Sequence, residues 1–207
     1  VHDAREPIDV QADLVVTDPP FGINFTGTPT NYNRKPTVGQ YTELANEDIP
    51  VIVKNIYNSL KPQGSFWLIM GWNNLSIWET ECKKLFNQIG HVIWKYQFGV
   101  YTKRRPVTSH YHLLVYTKHK TIWKWNQQGY DEDVWTIKRD YQFNRIKYPN
   151  RLPERLVEEI LKRSSDPGDL VLDPFCGSGT IPKVAYRMHR NAIGCDIQSN
   201  GDFWYNE

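Results

Sequence analysis

The chain has only three cysteines in 207 residues, Cys82, Cys176 and Cys195, and none stands in a CxxC pair. A disulfide framework and a cysteine-built zinc site are thereby excluded, no metal is expected, and a reducing, intracellular (cytoplasmic) setting is expected. Long apolar runs are also missing. The longest, Ser65–Met70, is strand-sized and far short of the ~20 residues that cross a bilayer. The first residues, Val1-His-Asp-Ala-Arg5, hold no apolar stretch, so no secretory leader is expected. Neither a GxGxxG fingerprint nor a phosphate-loop lysine occurs, and there are no repeats or low-complexity tracts. Charge of one sign is scarce: 25 Lys and Arg against 23 Asp and Glu leave +2, mild for a binder of nucleic acid. What is abundant is aromatic, with eight Trp and twelve Tyr. At 40% apolar and 23% charged, the composition is that of a globular chain, and the length suits one domain over 1–207.

Along the chain, Ala12–Thr17 reads as a short buried strand of branched residues, stopped by Pro19-Pro20. Residues 22–41 carry no periodicity and read as a long functional loop. Val51, Ile52, Ile56 and Leu60 mark a helix that Pro62-Gln-Gly64 should end, before a strand at Ser65–Met70. Trp78, Cys82, Leu85 and Phe86 mark a second helix, which Gly90 should close. Strands are expected at Val92–Phe98 and Leu113–Tyr116, joined around Lys103–Pro106, while 119–147 show no clear period. Pro153 opens a helix with Leu156, Val157, Ile160 and Leu161 inward, and Asp166-Pro-Gly168 ends it. Strand Asp169–Asp173, helix Gly179–Arg190 and strand Ala192–Asp196 follow. Such alternation argues for an α/β chain with a mostly parallel sheet.

Two stretches concentrate the informative residues. Asp173-Pro174-Phe175-Cys176-Gly177-Ser178-Gly179-Thr180 joins a buried strand to a helix. Glycines there let the backbone approach a ligand, the helix start offers free N–H groups, and Asp196 at the end of the next strand could hold ribose hydroxyls. Taken singly, these glycines could equally serve a tight turn and Asp196 a solvated strand end. Asp18-Pro19-Pro20-Phe21 follows the first strand. A carboxylate and a proline carbonyl held together make two adjacent acceptors, which suit an amine with two donors, and Phe21 can stack on the ring that bears it. Alone, this stretch would read as a turn at a strand end.

Together these motifs resemble the DNA amino-methyltransferases, whose catalytic [D/N/S]PP[Y/F/W] is matched by Asp18–Phe21 and whose DPFxGSGT is matched by Asp173–Thr180. Tyr148-Pro-Asn150-Arg151-Leu-Pro153 resembles the family's HPTxKP segment, with Tyr148 in place of His and Leu152 in place of Lys; Asp3-Ala4 resembles its GDA segment. The motif order is that of the permuted β group. The resemblance implies a Rossmann-like methyltransferase fold with an antiparallel strand in the sheet. It implies S-adenosylmethionine held by Asp3, Ala4, Asp18, Asn150, Arg151, Asp173–Thr180 and Asp196. It also implies catalysis at Asp18, Pro19, Pro20 and Phe21 on the exocyclic amine of a base flipped from duplex DNA, in the manner of restriction–modification enzymes. Asp at the first motif position favours adenine N6; cytosine N4, an RNA amine, or an inactive nucleic-acid-binding partner subunit remain open, as does a homodimer. Asp18 is expected to stay ionised.

The mild total charge hides a division. Residues 101–150 hold ten Lys and Arg against four Asp and Glu, a net of +6, and the remainder is net −4. Lys103, Arg104, Arg105, Lys118, Lys120, Lys124, Lys138 and Arg139, with Trp123, Trp125 and Tyr130 among them, are the expected phosphate contacts, in a small recognition insertion at about 101–147. His110 and His112 lack a carboxylate or thiol companion and are expected to pack; Cys176 and Cys195 read as small buried hydrophobes.

Overall fold

Alternating side chains on β1 (Ala12–Thr17) divide between two cores: Leu14 and Val16 enter one, Val15 the other. The computed structural model describes residues 1–20, 44–97, 103, 106–139 and 151–197. The remaining elements are α1 (Ile49–Ser59), β2 (Leu60–Met70), α2 (Leu75–Leu85), β3 (Asn87–Lys95), β4 (His110–Thr117), β5 (Val134–Thr136), α3 (Glu154–Ser164), β6 (Leu170–Asp173), α4 (Thr180–Arg187) and β7 (Asn191–Gly194). Seven strands form one sheet in the order β5-β3-β4-β2-β1-β6-β7. β1 pairs in parallel with β2 and β6, β6 with β7, and β3 with β5; β4 runs antiparallel to both β2 and β3.

Helices α3 and α4 cover one face. Leu156, Val157, Ile160, Leu161, Ile181 and Val184 pack there against Leu14, Val16, Trp67 and Ile69. α1 and α2 cover the other face, where Ile49, Ile52, Val53, Ile56, Trp78 and Cys82 meet Val15, Phe66, Leu68 and Met70. Each such side chain contributes roughly 1.5–3 kcal/mol by leaving water. Tryptophan ties the α3 layer to the sheet: Trp67 donates its indole N–H to Ser164 Oγ at 2.8 Å and stacks on Trp125. The nearly buried Arg163 is held by Asp131 and Glu159, both at 2.7 Å, and lies over the Trp135 ring.

Three local expectations change. Pro62-Gln-Gly64 does not form a turn but lies inside β2. There the register against β1 jumps from Ala12↔Leu60 to Leu14↔Ser65, a bulge that lies before β4 joins at Ser65↔Thr117. A proline is tolerated because no ladder bond is demanded of its nitrogen. Gly90 does not close α2, which ends at Leu85, but sits in β3 at a register shift against Val115. β5 was not legible at all, since it is a three-residue edge strand with Val134 and Thr136 outward. The expected loop at 22–41 lies outside the described residues.

Candidate active site

The two motifs meet because β1 and β6 are neighbours. Leu14↔Val171 and Val15↔Leu172 are in register, so Thr17-Asp18 and Asp173 leave the sheet side by side at the carboxyl ends of their strands. Thr17 donates its hydroxyl to Asp173 Oδ1 at 2.9 Å, and the Phe175 N–H donates to the same oxygen at 3.1 Å. Thr17 carries no motif signal of its own; only its place beside the strand-end Asp gives it this role.

The loop after β6 is fixed from within. Cys176 N–H donates to Cys195 O and Cys195 N–H to Asp173 O, both at 2.8 Å, and Gly179 N–H to Cys176 O at 2.6 Å. Gly177 and Gly179 have φ of +44° and +74°, a region that L side chains rarely adopt, and Gly179 is the N-cap of α4. At Gly194 a Cβ would lie 2.9 Å from both Cys176 Cβ and Pro182 Cγ, so only glycine lets β7 pass beneath the loop. Asp196 Oδ2 accepts the Gly177 N–H at 2.9 Å. Ser178 and Thr180 share a hydroxyl contact at 3.0 Å, and Arg151 Nε donates to Thr180 Oγ1 at 3.2 Å, which brings Arg151 to the loop. The chain's first residues arrive here too: His2 N–H donates to Asp196 O, and Asn55 of α1 donates to Ala4 O. Asp3, however, has its carboxylate chelated by the backbone and guanidinium of Arg5, which holds it below the usual carboxylate range.

Asp18 differs from all of these. Its Oδ1 is buried with no hydrogen-bond partner. Burial, with a smaller push from the Asp173 charge, raises its carboxyl to about 8, against the pull of Arg139. Against the expectation that it stays ionised, burial in the protein alone disfavours the charged form of Asp18. Burial likewise raises Asp173 to about 7, opposed by its two donors and reinforced by Asp196.

Of the expected site residues, Pro19 and Pro20 lie with Asp18 at the end of β1; Phe21 and Asn150 are outside the described residues. The basic set divides. Lys103, Lys120 and Lys138 are exposed, and Arg104 and Arg105 fall outside the described residues. Three others, partly exposed, make contacts within the molecule. Lys118 donates to Leu60 O and lies over the Tyr57 ring. Lys124 is paired with Asp169 at 2.6 Å and Asp166 at 2.9 Å. Arg139 lies over Tyr96, Tyr111 and Trp94. Sequence reports charge, not surroundings, and these three cations each meet groups of the protein itself. His112 is half-buried and hydrogen-bonded to His91 at 2.9 Å; burial and its two histidine neighbours lower it to about 4. No group of three His, Cys, Asp or Glu is arranged to hold a metal among the described residues, and no helix there is long and apolar enough to cross a membrane. Burial raises the thiols of Cys176 and Cys195, which leaves them protonated packing groups.

A doubly covered, mostly parallel sheet with a glycine loop at one strand end and an acceptor carboxyl at the next defines the class: a Rossmann-like methyltransferase fold. The DNA methylase family N6_N4_Mtase matches residues 12–200, and the chain belongs to that family. Type II methyltransferase M.HpaI of Haemophilus parainfluenzae is 30% identical over 210 residues, which cover 89% of this chain and 64% of that protein. DNA adenine methyltransferase YhdJ of Escherichia coli (strain K12) is 27% identical, over 90% of this chain and 72% of that one. The chain thus spans about two-thirds of the length of these relatives. Among solved structures, the M1.HpyAVI–SAM complex superposes with a TM-score of 0.70 at 20% identity, covering 92% of this chain and 84% of that one. The cytosine-N4-specific PvuII DNA methyltransferase superposes with 0.70 at 19% identity, covering 96% and 80%.

Proposed function

We propose that this chain transfers a methyl group from S-adenosylmethionine to the exocyclic amine of a base flipped out of duplex DNA, adenine N6 in preference to cytosine N4. The observation that carries this reading is the unpartnered, buried Asp18 Oδ1 held one residue from Thr17, whose hydroxyl is bonded to Asp173 at the mouth of the glycine loop. A buried acceptor without a donor is costly, and an incoming amine N–H supplies one.

The residues present fit the cofactor. Asp173 and Asp196 are acceptors suited to an ammonium and to ribose hydroxyls, and the positive-φ glycines leave the loop open to a close-lying ligand. Asp173–Thr180, Asp196, Asp3, Ala4, Arg151 and, beyond the described residues, Asn150 would hold it. When bound, S-adenosylmethionine supplies a sulfonium methyl as the electrophile. Asp18 and the Pro19 carbonyl then orient the amine, Asp18 as carboxylate taking one N–H and the carbonyl the other, so that the nitrogen lone pair points away from both. Phe21 would stack on the base. Lys103, Arg104, Arg105, Lys120 and Lys138, in the segment 101–147, would meet the phosphates.

The direct experiment incubates the protein with labelled S-adenosylmethionine and duplex DNA, then digests to nucleosides and identifies the product by mass spectrometry. N6-methyladenine is expected. N4-methylcytosine would reverse the base assignment, transfer only to RNA transcripts would reverse the substrate, and cofactor binding without transfer would point to a non-catalytic partner subunit.

A further inference from the structure

β1 lies between β6, which leads into the glycine loop, and β2, so the flank of Asp18 away from that loop is the carboxyl end of β2. With Thr17 paired to Leu68, β2 runs on past β1 to Met70, and the turn that follows carries Trp72. Its side chain is 57% exposed, the most of any tryptophan among the described residues. The turn is anchored at both ends. Met70 pairs with His112 before it, and after it Asn74 O accepts the Ile77 and Trp78 N–H groups that start α2. The same register sets His110, two residues before His112, beside the turn of Trp72, and pairs His110 in turn with Lys95 of β3. Both lie on the α2 side of the sheet, since Trp94, Tyr111 and Leu113 face the α3 side and Leu114 the α2 side. His110 is half-buried and backed by the His112 ring, edge to face with centroids 5.0 Å apart. Lys95 is exposed, and its carbonyl accepts the Ile137 N–H at 3.0 Å. An indole, an imidazole and an ammonium thus follow one another across the ends of β2, β4 and β3. At roughly 4.8 Å per strand they step about 14 Å away from the strand of Asp18.

We propose that this row receives the DNA strand that carries the flipped nucleotide: Trp72 stacks on a base beside it, and His110 and Lys95 meet phosphates of the same strand. This deepens the methyl-transfer reading above and rests on it. The sequence of groups suits nucleic acid, with a ring face for a base, then an N–H donor and a cation for the backbone. Its reach of about 14 Å is that of roughly four nucleotides of one strand, at 3.4 Å each. Trp72 stands beyond the strand end and so at the mouth of the site, where a neighbouring base passes; the floor belongs to Asp18. Cofactor and DNA then approach Asp18 from opposite flanks of β1 and do not compete for space.

The test is binding of a fluorescently labelled DNA duplex of mixed sequence, read by anisotropy over a range of salt. Trp72→Ala is expected to weaken binding about tenfold, and Trp72→Phe to keep most of the affinity. Lys95→Ala should lower the salt slope by about 0.9, with Lys95→Arg restoring it. Both side chains are exposed, so these variants should melt with the unmodified chain. Tyr186→Ala is the control: it removes a ring that is 74% exposed in the last turn of α4, away from the carboxyl edge, and should change nothing. In methylation of plasmid DNA, Trp72→Ala should raise KM for DNA and leave KM for the cofactor unchanged. Unaltered affinity in Trp72→Ala, an equal loss in Tyr186→Ala, an unaltered salt slope in Lys95→Ala, or losses seen with an RNA duplex and not with DNA would each overturn the proposal. Binding is read without methyl transfer, so the expected losses in a chain that transfers no methyl group would overturn the reading of Asp18 and leave the row standing.

Discussion

Asp18 and Asp173 stand at the ends of neighbouring parallel strands, each with a buried carboxyl oxygen, yet their surroundings differ in kind. Asp173 has two donors on one oxygen, a hydroxyl from β1 and a backbone N–H of its own loop. Asp18 has an oxygen with none. Burial raises both carboxyls, but of the two only Asp18 has a buried oxygen without a donor. A satisfied carboxyl holds a loop in place; an unsatisfied one stores a demand that a substrate donor can meet. The division recurs among the cations, where Lys124 is spent on Asp166 and Asp169 while Lys120 is exposed.

The sharpest way to break this contrast is Asp18→Ala. It is expected to cut methyl transfer by on the order of 10²–10³ while leaving cofactor affinity within a few-fold, measured by single-turnover rates and calorimetry. Asp173→Asn should do the reverse, weakening cofactor binding by about 1.5–3 kcal/mol, and an exchange of these two phenotypes would invert the roles assigned here. Next comes pH. Both carboxyls are raised in the folded chain, so the unfolded state releases their protons first and stability falls as pH rises from about 4 to about 8. A thermal melt of the chain alone should show that decline, shallower in Asp18→Asn; a flat profile would show that neither carboxyl is buried in solution. Thr17→Val removes one of the two donors to Asp173 and should cost about 1 kcal/mol in urea denaturation. The smallest effect separates the lysines: Lys120→Ala should lower the salt slope of DNA binding by about 0.9, and Lys124→Ala should leave it unchanged.

Much of the scaffold was legible because its signals are local. The inward faces of α1 and α3, the branched runs of β1 and β6, and the glycines before α4 each declare themselves within a few residues. What failed depended on partners distant in the chain. Pro62 looks like a terminator unless the bulge against β1 is known, and Gly90 looks like a helix end unless Val115 is opposite. β5 owes its existence to β3, with Ile93↔Val134 and Trp94↔Trp135 in register, and to nothing in its own alternation. In the site, the motifs announced their carboxylates but not their states. Thr17 lies 156 residues from Asp173, and the contacts of Arg139 with its aromatic rings join β3, β4 and the stretch after β5.

The strand order has a kinetic consequence. β1 leads into Asp18 and lies between β2 and β6, but β2 is the next strand in the chain whereas β6 is reached only after β3, β4, β5 and α3. During synthesis one edge of β1 stays open until that late strand docks, so the slowest step of assembly should be the same long-range closure that brings Thr17 to Asp173. A chain stalled before it would present an unpaired hydrophobic edge and no cofactor loop, and activity should therefore return in refolding together with the final burial of β1, with no partially active intermediate.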